Sequence, residues 1–274
     1  MGTEIDRRGG DTSLPLWSAR ALLENPEMVL DIHNDFILAG ADIITTNTFR
    51  TQDWTLKKVG FSHTKARELT KLAISLAQES RQKTGSCLIA GSIAPLEDCY
   101  SPNLVPHESI LLQEHQKLVD DLADGGVDLF LIETMNTFKE AKVVFSHTQE
   151  YPDIPVIVSF TCDTAGNILS GDSWKKIGEF FKEKVAIVSV NCSSINGSSL
   201  AINELQRLHI NNWGTYPNFG SFNNQIWSKV SNNKYIHDSL HEWITLQPKL
   251  IGTCCGAIPS DTKKLHDFLT RINI

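Results

Sequence analysis

Residues 127–161 have the sequence VDLFLIETMNTFKEAKVVFSHTQEYPDIPVIVSFT, and this stretch decides the fold class. Two runs dominated by Leu, Ile, Val and Phe, at 127–134 and 154–161, flank a segment of helical periodicity at 137–147. Apolar runs without polar alternation are typical of parallel strands that are covered on both faces. The stretch therefore predicts a β-strand, an amphipathic helix and a second, parallel β-strand.

The same unit recurs along the chain with a period of about 35 residues, which is the length of one βα unit. The interpretation that follows is an α/β protein, a (β/α)8 TIM barrel formed as a single domain by residues 1–274, with a doubly wound parallel sheet as the alternative. Helices are predicted at 16–40 (with a break at Pro26), 61–84, 107–123 and 137–147. Strands are predicted at 41–49, 87–93, 127–134, 154–161, 185–192, 213–217 and 249–255.

The beginning of the chain departs from the barrel pattern. The first predicted helix, 16–40, precedes the first predicted strand, whereas a barrel unit begins with a strand. Residues 1–15 are rich in Gly, Arg and Asp, which indicates a loop. We therefore expect the first strand of the barrel to be truncated.

Composition narrows the classes of function. Twenty-five basic and 32 acidic residues give a net charge of −7, which argues against a general nucleic-acid binder because phosphate contacts need a basic surface. No apolar run approaches the ~20 residues that span a bilayer, so no membrane association is expected. The polar N-terminus lacks the apolar core of a secretory signal, which predicts a cytoplasmic protein.

Three of the six cysteines lie at predicted strand ends. Cys192 ends the run at 185–192, and Cys254 and Cys255 end the run at 249–255. Because the carboxyl ends of parallel barrel strands share one face, we expect the three thiols to converge. Three thiolates with an open fourth position would form a catalytic zinc site; buried cysteines without a metal are the alternative. Structural roles are predicted for the remaining cysteines, Cys87, Cys99 and Cys162.

An ordered set of motifs carries a family resemblance over essentially the whole chain. The motifs are MGTE (1–4), LPLWSARALLENPEMV (14–29), AGADIITTNTF (39–49), ETMNT (133–137), VSFT (158–161), VNCS (190–193), YPNFG (216–220) and IGTCCG (251–256). Together they resemble the homocysteine S-methyltransferase family. The resemblance implies a (β/α)8 barrel and Zn²⁺ bound by Cys192, Cys254 and Cys255.

Two departures from the family pattern stand out. The Asp-Gly-Gly that usually precedes the MGTE-like segment is absent, and that aspartate normally helps to hold the amino-acid substrate. The usual Gly-Gly before the paired cysteines is Gly252-Thr253 here.

The resemblance also implies the reaction and its small-molecule partners. The thiolate of homocysteine takes a methyl group from a sulfonium donor, S-methylmethionine or S-adenosylmethionine, and methionine is formed. Glu133 matches the glutamate that binds the substrate amino group in the family; a surface salt bridge with a helix lysine is the alternative. The sequence does not specify an oligomeric state.

Further candidate residues lie at strand ends and in loops. Thr46, Asn47 and Thr48 could donate hydrogen bonds to the substrate carboxylate, or they pack the end of the sheet. Asn218 in the YPNFG loop is a candidate weak zinc ligand that substrate would displace, or it is part of an ordinary turn. The Trp17 indole could hold a sulfonium through cation–π attraction, or it packs the first helix.

Other functions remain open at this point. A non-catalytic barrel could still bind zinc or a thiol amino acid without the first-strand aspartate. The chain could also be the homocysteine module of a cobalamin-dependent system, in which a partner chain supplies the cobalamin domain, or of a betaine-dependent one.

Overall fold

The apolar runs of the sequence form a single curled sheet. The structure, a computed structural model, describes residues 1–223, 226–229 and 233–272. Its strands are β1 (Ile43–Thr45), β2 (Leu88–Ile93), β3 (Leu129–Met135), β4 (Val156–Phe160), β5 (Ile187–Asn191), β6 (Trp213–Tyr216), β7 (Gly220–Asn223), β8 (Ile226–Lys229) and β9 (Leu250–Ile251).

The helices alternate with these strands. They are α1 (Gly2–Arg7), α2 (Arg20–Glu24), α3 (Pro26–Leu38), α4 (Asp53–Lys57), α5 (His63–Thr84), α6 (Glu108–Asp124), α7 (Phe138–Thr148), α8 (Trp174–Phe181), α9 (Ile195–Arg207), α10 (Asn233–Thr245) and α11 (Pro259–Arg271). The longer ones have buried apolar faces, as in α5, where Ala66, Leu69 and Ala73 pack inward. None of the described helices is long and apolar enough to cross a lipid bilayer.

Seven strands lie side by side in the order β1-β2-β3-β4-β5-β6-β9, and every neighbouring pair is parallel. The order follows the chain without the reversal that defines a doubly wound sheet, so that alternative is wrong. A cavity of about 2310 Å³ is lined by both edge strands, including Ile44 of β1 and Leu250 of β9, which shows that the sheet curls around it. Seven parallel strands in a curled sheet are consistent with a TIM barrel that lacks one strand.

The N-terminal segment contains structure that the sequence interpretation missed. Residues 1–15 were predicted to be a loop, yet Gly2–Arg7 forms α1. Ile5 is fully buried, and Arg7 and Arg8 both pair with the buried Glu4. So short a helix has little stability of its own, and these tertiary contacts stabilise it.

The predicted helix at 16–40 does break at Pro26. A short 3₁₀ turn at Trp17–Ala19 leads into α2, and α3 begins at Pro26. The Asn25 side chain caps α3 by accepting a hydrogen bond from the Met28 amide.

The first and last strands are shorter than predicted. Instead of 41–49 and 249–255, only Ile43–Thr45 and Leu250–Ile251 pair in the sheet, and the chain beyond each of them forms a loop. The antiparallel pairing of β7 with β8 was not predicted. Because all seven strands of the sheet are parallel, the residues that follow β1, β3, β5, β6 and β9 lie at the same end of the sheet.

Candidate metal centre

The three sulfurs predicted to converge do so. Cys192 follows β5, Cys254 and Cys255 follow β9, and the three Sγ atoms lie within 4.8 Å of one another. The Cys192 and Cys255 sulfurs are 3.6 Å apart. Zinc–sulfur bonds of ~2.3 Å at tetrahedral angles separate two sulfurs by about 3.8 Å. The donor set and its spacing therefore fit one tetrahedral metal ion.

Local backbone geometry brings Cys192 to this place. Its φ angle is 51°, in the left-handed region that residues with a side chain rarely adopt. The Cys192 amide donates to the Tyr216 carbonyl at 3.2 Å, which ties the turn after β5 to the end of β6. The turn therefore directs the sulfur toward the loop that follows β9.

The Cys254–Cys255 loop is joined to the YPNFG loop by backbone hydrogen bonds. The Cys254 amide donates to the Pro217 carbonyl at 3.0 Å, and the Phe219 amide donates to the Cys255 carbonyl at 2.7 Å. Gly256 has a φ of 84°, and a Cβ there would lie 2.9 Å from the backbone of Phe219. Only glycine allows the two loops to approach so closely.

Asn218 lies beside this loop pair and lines the cavity. Its amide donates to the Ser193 carbonyl at 2.9 Å, which fixes its backbone. Its side-chain Oδ1 is buried and has no hydrogen-bond partner among the described residues. A buried oxygen without a partner is costly, so Asn218 offers a free ligand atom in the cavity that the three cysteines also line.

Glu133 is buried in β3 and lines the same cavity. Ser92 Oγ donates to its Oε1 at 2.5 Å, and Tyr216 Oη lies 3.4 Å from its Oε2. Burial raises the pKa of the Glu133 carboxyl, and the hydrogen bond from Ser92 partly opposes that rise. The alternative of a surface salt bridge with a helix lysine is wrong, because the carboxylate faces the interior.

Asn191, which the sequence analysis did not single out, connects the ends of three strands. Its Oδ1 accepts from the Thr134 amide at 3.0 Å and from Ser159 Oγ at 2.7 Å, and its Nδ2 donates to Thr134 Oγ1 at 2.9 Å. Thr134 has a left-handed φ of 59°, next to Glu133. Asn191 therefore holds Glu133 and Cys192 in a fixed relation. Its position immediately before Cys192 was the available signal.

The three polar residues after β1 have different environments. Thr46 and Asn47 line the cavity, and the buried Oδ1 of Asn47 has no partner among the described residues. Asn47 Nδ2 donates to the Ser18 carbonyl at 2.9 Å. The fully buried Thr48 is outside the cavity lining, and its hydroxyl donates to the Ser92 carbonyl at 2.7 Å. Thr48 therefore has the sheet-end packing role that was its alternative.

Trp17 also lines the cavity, from the short turn before α2. Its φ of 47° is left-handed, and its ring meets Phe49 edge-on at a centroid distance of 5.2 Å. A Cβ on Gly2 would lie 2.4 Å from the indole, so α1 packs directly against the ring. The half-buried indole both packs the N-terminal segment and presents an aromatic surface to the cavity.

Tyr100 is a second residue that the sequence analysis missed. It lies in the loop between β2 and α6, and its hydroxyl is 3.1 Å from Cys192 Sγ. The loop position after a barrel strand was the only sequence signal, and it is shared with many residues. The three cysteines predicted to be structural, Cys87, Cys99 and Cys162, are free and buried.

Comparisons with known proteins find relatives that match nearly the whole chain. A sequence model of the homocysteine S-methyltransferase family matches residues 1–269. Homocysteine S-methyltransferase YbgG of Bacillus subtilis is 27% identical over 97% of this chain and 91% of its own length. Selenocysteine methyltransferase of Astragalus bisulcatus is 28% identical over 98% of this chain and 90% of its own length.

A solved structure has the same fold. The metallated form of the homocysteine methyltransferase MmuM from Escherichia coli superimposes with a TM-score of 0.85 at 25% identity. The match covers 98% of this chain and 93% of that one.

Proposed function

The chain belongs to the homocysteine S-methyltransferase family, and from this premise we propose that it transfers a methyl group from a sulfonium donor to the sulfur of homocysteine, forming methionine. The observation that carries the proposal is the group of three cysteine sulfurs within 4.8 Å, at the same cavity as the buried carboxylate of Glu133. A sulfur-binding centre beside an acceptor for an ammonium group suits a thiol amino acid.

The donor set favours zinc as the metal. Thiolate ligands select soft or borderline ions over magnesium and calcium, and three protein ligands with an open position are typical of catalytic zinc. Cys192, Cys254 and Cys255 would hold the ion, with Asn218 Oδ1 as the fourth ligand before substrate binds. Bound zinc would favour the ionised form of the substrate sulfur at neutral pH.

The residues of the chain orient the acceptor. Glu133 accepts hydrogen bonds from the homocysteine ammonium group, and Ser92 and Tyr216 hold the carboxylate in place. Thr46 and Asn47 face the cavity and are assigned to the substrate carboxylate. Because only a thiolate attacks, the homocysteine thiol first releases its proton to solvent; its sulfur then forms a bond to the methyl carbon as the sulfonium–methyl bond breaks, and the donor leaves as a neutral thioether.

Trp17 supports a sulfonium as the methyl donor. An indole face attracts a nearby cation by ~1 kcal/mol, more when water is excluded. The Trp17 ring is fixed by Phe49 and Gly2 and borders the cavity. S-methylmethionine and S-adenosylmethionine both carry a positively charged sulfur, so we assign one of them as the donor.

The free thiols also indicate the cellular compartment in which the reaction takes place. All six cysteines are unpaired in the structure. Reduced thiols persist in the cytoplasm, and we therefore propose that the protein acts there on small-molecule substrates.

Metal analysis combined with a donor panel tests this function. We expect one zinc ion per chain in the wild-type protein, and methionine from homocysteine with S-methylmethionine or S-adenosylmethionine. Cys254→Ser should lose both the metal and turnover, whereas the control Cys87→Ser should keep both. Trp17→Leu should raise the KM of the sulfonium donor by roughly fivefold, corresponding to ~1 kcal/mol, without a matching change for homocysteine.

Each alternative has its own result in the same assay. Zinc without turnover on any donor indicates a binding-only barrel. Turnover with betaine, or only with a methylated cobalamin protein, replaces the sulfonium donor. Absence of zinc from an active wild-type protein contradicts the assignment of the three cysteines. Faster methylation of selenocysteine than of homocysteine changes the acceptor.

A further inference from the structure

We propose that Tyr100 is a positioning residue of the metal centre, whose hydroxyl holds the sulfur and the backbone carbonyl of Cys192 in the ligating arrangement. The proposal rests on the proposed function in one respect, that Cys192 is a metal ligand.

The hydroxyl of Tyr100 contacts two atoms of Cys192. Its Oη lies 3.0 Å from the Cys192 carbonyl oxygen and 3.1 Å from Cys192 Sγ. Both distances are within hydrogen-bonding range, and sulfur acceptors allow longer contacts than oxygen. A tyrosine hydroxyl has one proton to donate and can also accept. One oxygen atom therefore spans the backbone and the side chain of the same residue.

The loop that carries Tyr100 is itself held in place. The Asp98 carboxylate accepts from the Tyr100 amide at 3.2 Å and from Ser101 Oγ at 2.6 Å, which closes a turn around the tyrosine. Asn136 Nδ2 donates to the Asp98 carbonyl at 3.2 Å and joins this turn to the end of β3. Although half of the Tyr100 residue is exposed, its hydroxyl end is directed inward by these contacts.

Cys192 needs such support because its backbone is strained. A left-handed φ on a residue with a side chain persists only when the surroundings hold it. The Cys192 carbonyl accepts from Tyr100 Oη and, at 3.4 Å, from Thr161 Oγ1. The contact from Tyr100 is the shorter of the two. Tyr100 lies in the loop after β2, whereas Thr161 follows β4, which is next to β5 in the sheet. Loss of the Tyr100 hydroxyl should let the carbonyl and the sulfur reorient together.

Metal binding would determine the direction of the hydrogen bond between the Tyr100 hydroxyl and the Cys192 sulfur. A metal-bound thiolate has no proton and can only accept, so Tyr100 can donate to the sulfur or to the adjacent carbonyl. Partners of this kind orient metal ligands and tune their electron density, and their loss typically weakens metal binding by 10- to 100-fold. Donation to the thiolate also withdraws electron density from sulfur.

The substitution Tyr100→Phe removes the hydroxyl and keeps the aromatic ring. The matched control is Tyr151→Phe. Tyr151 lies in the loop before β4, far from the sulfurs. Its hydroxyl also donates one hydrogen bond, to Asp120 Oδ1 at 2.8 Å. Zinc affinity is measured by competition with a chromophoric chelator, and the absorption spectrum is recorded after substitution with Co²⁺. We expect Tyr100→Phe to bind zinc about tenfold more weakly. Its sulfur-to-cobalt charge-transfer band should move to lower energy, because the sulfur is more electron-rich.

A second variant keeps the test informative if the first disturbs folding. Asp98→Ala leaves the hydroxyl in the protein but opens the turn around it, and it should weaken zinc binding in the same direction by a smaller factor. The control Tyr151→Phe should match the wild type in affinity and spectrum. Wild-type affinity and an unshifted cobalt band in Tyr100→Phe overturn the positioning role while the methyltransferase function stands. A wild-type protein that binds neither zinc nor cobalt overturns the metal centre and this role together.

Discussion

The two segments that supply the sulfurs differ in how firmly the sheet holds them. Cys192 follows β5, which pairs with β4 and β6 over four residues on each side. Cys254 and Cys255 follow β9, which has two residues and, in the described part of the chain, pairs only with β6. Cys192 is buried, whereas the other two cysteines are partly exposed.

The difference shows that the three cysteine sulfurs come from one firmly held segment and one weakly held segment. On the β5 side, the side chains of Asn191 and Tyr100 contact the turn and the strand ends beside it. On the β9 side, the loop is held mainly by backbone contacts to the YPNFG loop and by the Gly256 amide, which donates to Thr3 Oγ1 at 2.9 Å. A bound metal should therefore stabilise the β9 side more than the β5 side.

Removal of zinc should expose this difference in hydrogen exchange. A ligand present at about 100 times its Kd stabilises the binding state by ~2.7 kcal/mol, which is about a hundredfold in protection of amides that open locally. After chelation we expect amide protection in β9 and α11 to fall by about a hundredfold, with little change in β5. Hydrogen exchange measured by mass spectrometry reports both regions. Equal loss in both regions would mean that the two segments open as one unit.

Removal of the Asn191 side chain should disrupt the firmly held segment. Asn191→Ala deletes three buried hydrogen bonds and leaves the Thr134 amide without its acceptor, so we expect the free energy of unfolding to fall by about 2 kcal/mol. Denaturant titration measures it. The control is Asn196→Ala, which removes one exposed hydrogen bond to the Thr164 carbonyl and should change stability by less than ~0.5 kcal/mol. Similar values for the two variants would contradict the role given to Asn191.

Glu133→Gln should have a smaller effect, and in the stabilising direction. Burial raises the pKa of the Glu133 carboxyl, so the folded protein holds this proton more tightly than the unfolded chain. The resulting stability is fully present below the unfolded pKa near ~4.3 and is lost as the pH rises through the raised folded pKa. The variant lacks this loss and should be more stable than the metal-free wild type at pH 7, by about 1 kcal/mol or less.

The same variant has an activity readout that separates function from stability. Without a charged acceptor for the ammonium group, the KM of homocysteine should rise by roughly tenfold, the value of one charge-assisted hydrogen bond. Ser109→Ala, at the exposed start of α6, serves as the control for both measurements, because it removes only an exposed side-chain contact with His107 Nδ1. The stability gained by the glutamine variant over the metal-free wild type should be larger at pH 7 than at pH 4. An equal gain at both pH values would show that ionisation of Glu133 is not its cause.

Most of the fold was predictable because its signals are local. Strands β2, β4, β5 and β6 lie within the predicted runs, β3 extends one residue beyond its run, and α5, α6 and α7 agree with prediction to within two residues at each end. Helix α1 was missed because six residues contain no periodicity, and its stability comes from contacts with Trp17 and Arg8. Strand β9 is short because the chain leaves the sheet to form the cysteine loop.

The sequence by itself determined the alternation of strands and helices, and it placed Glu133 and the three cysteines at strand ends, because apolar periodicity and strand boundaries are written in neighbouring residues. Only the tertiary structure decided which atoms meet. Tyr100 reaches Cys192 across 92 positions of the chain, and Asn191 reaches Thr134 across 57. Such contacts depend on strand register and on two left-handed backbone angles, which arise from packing between segments and leave no pattern in any one of them.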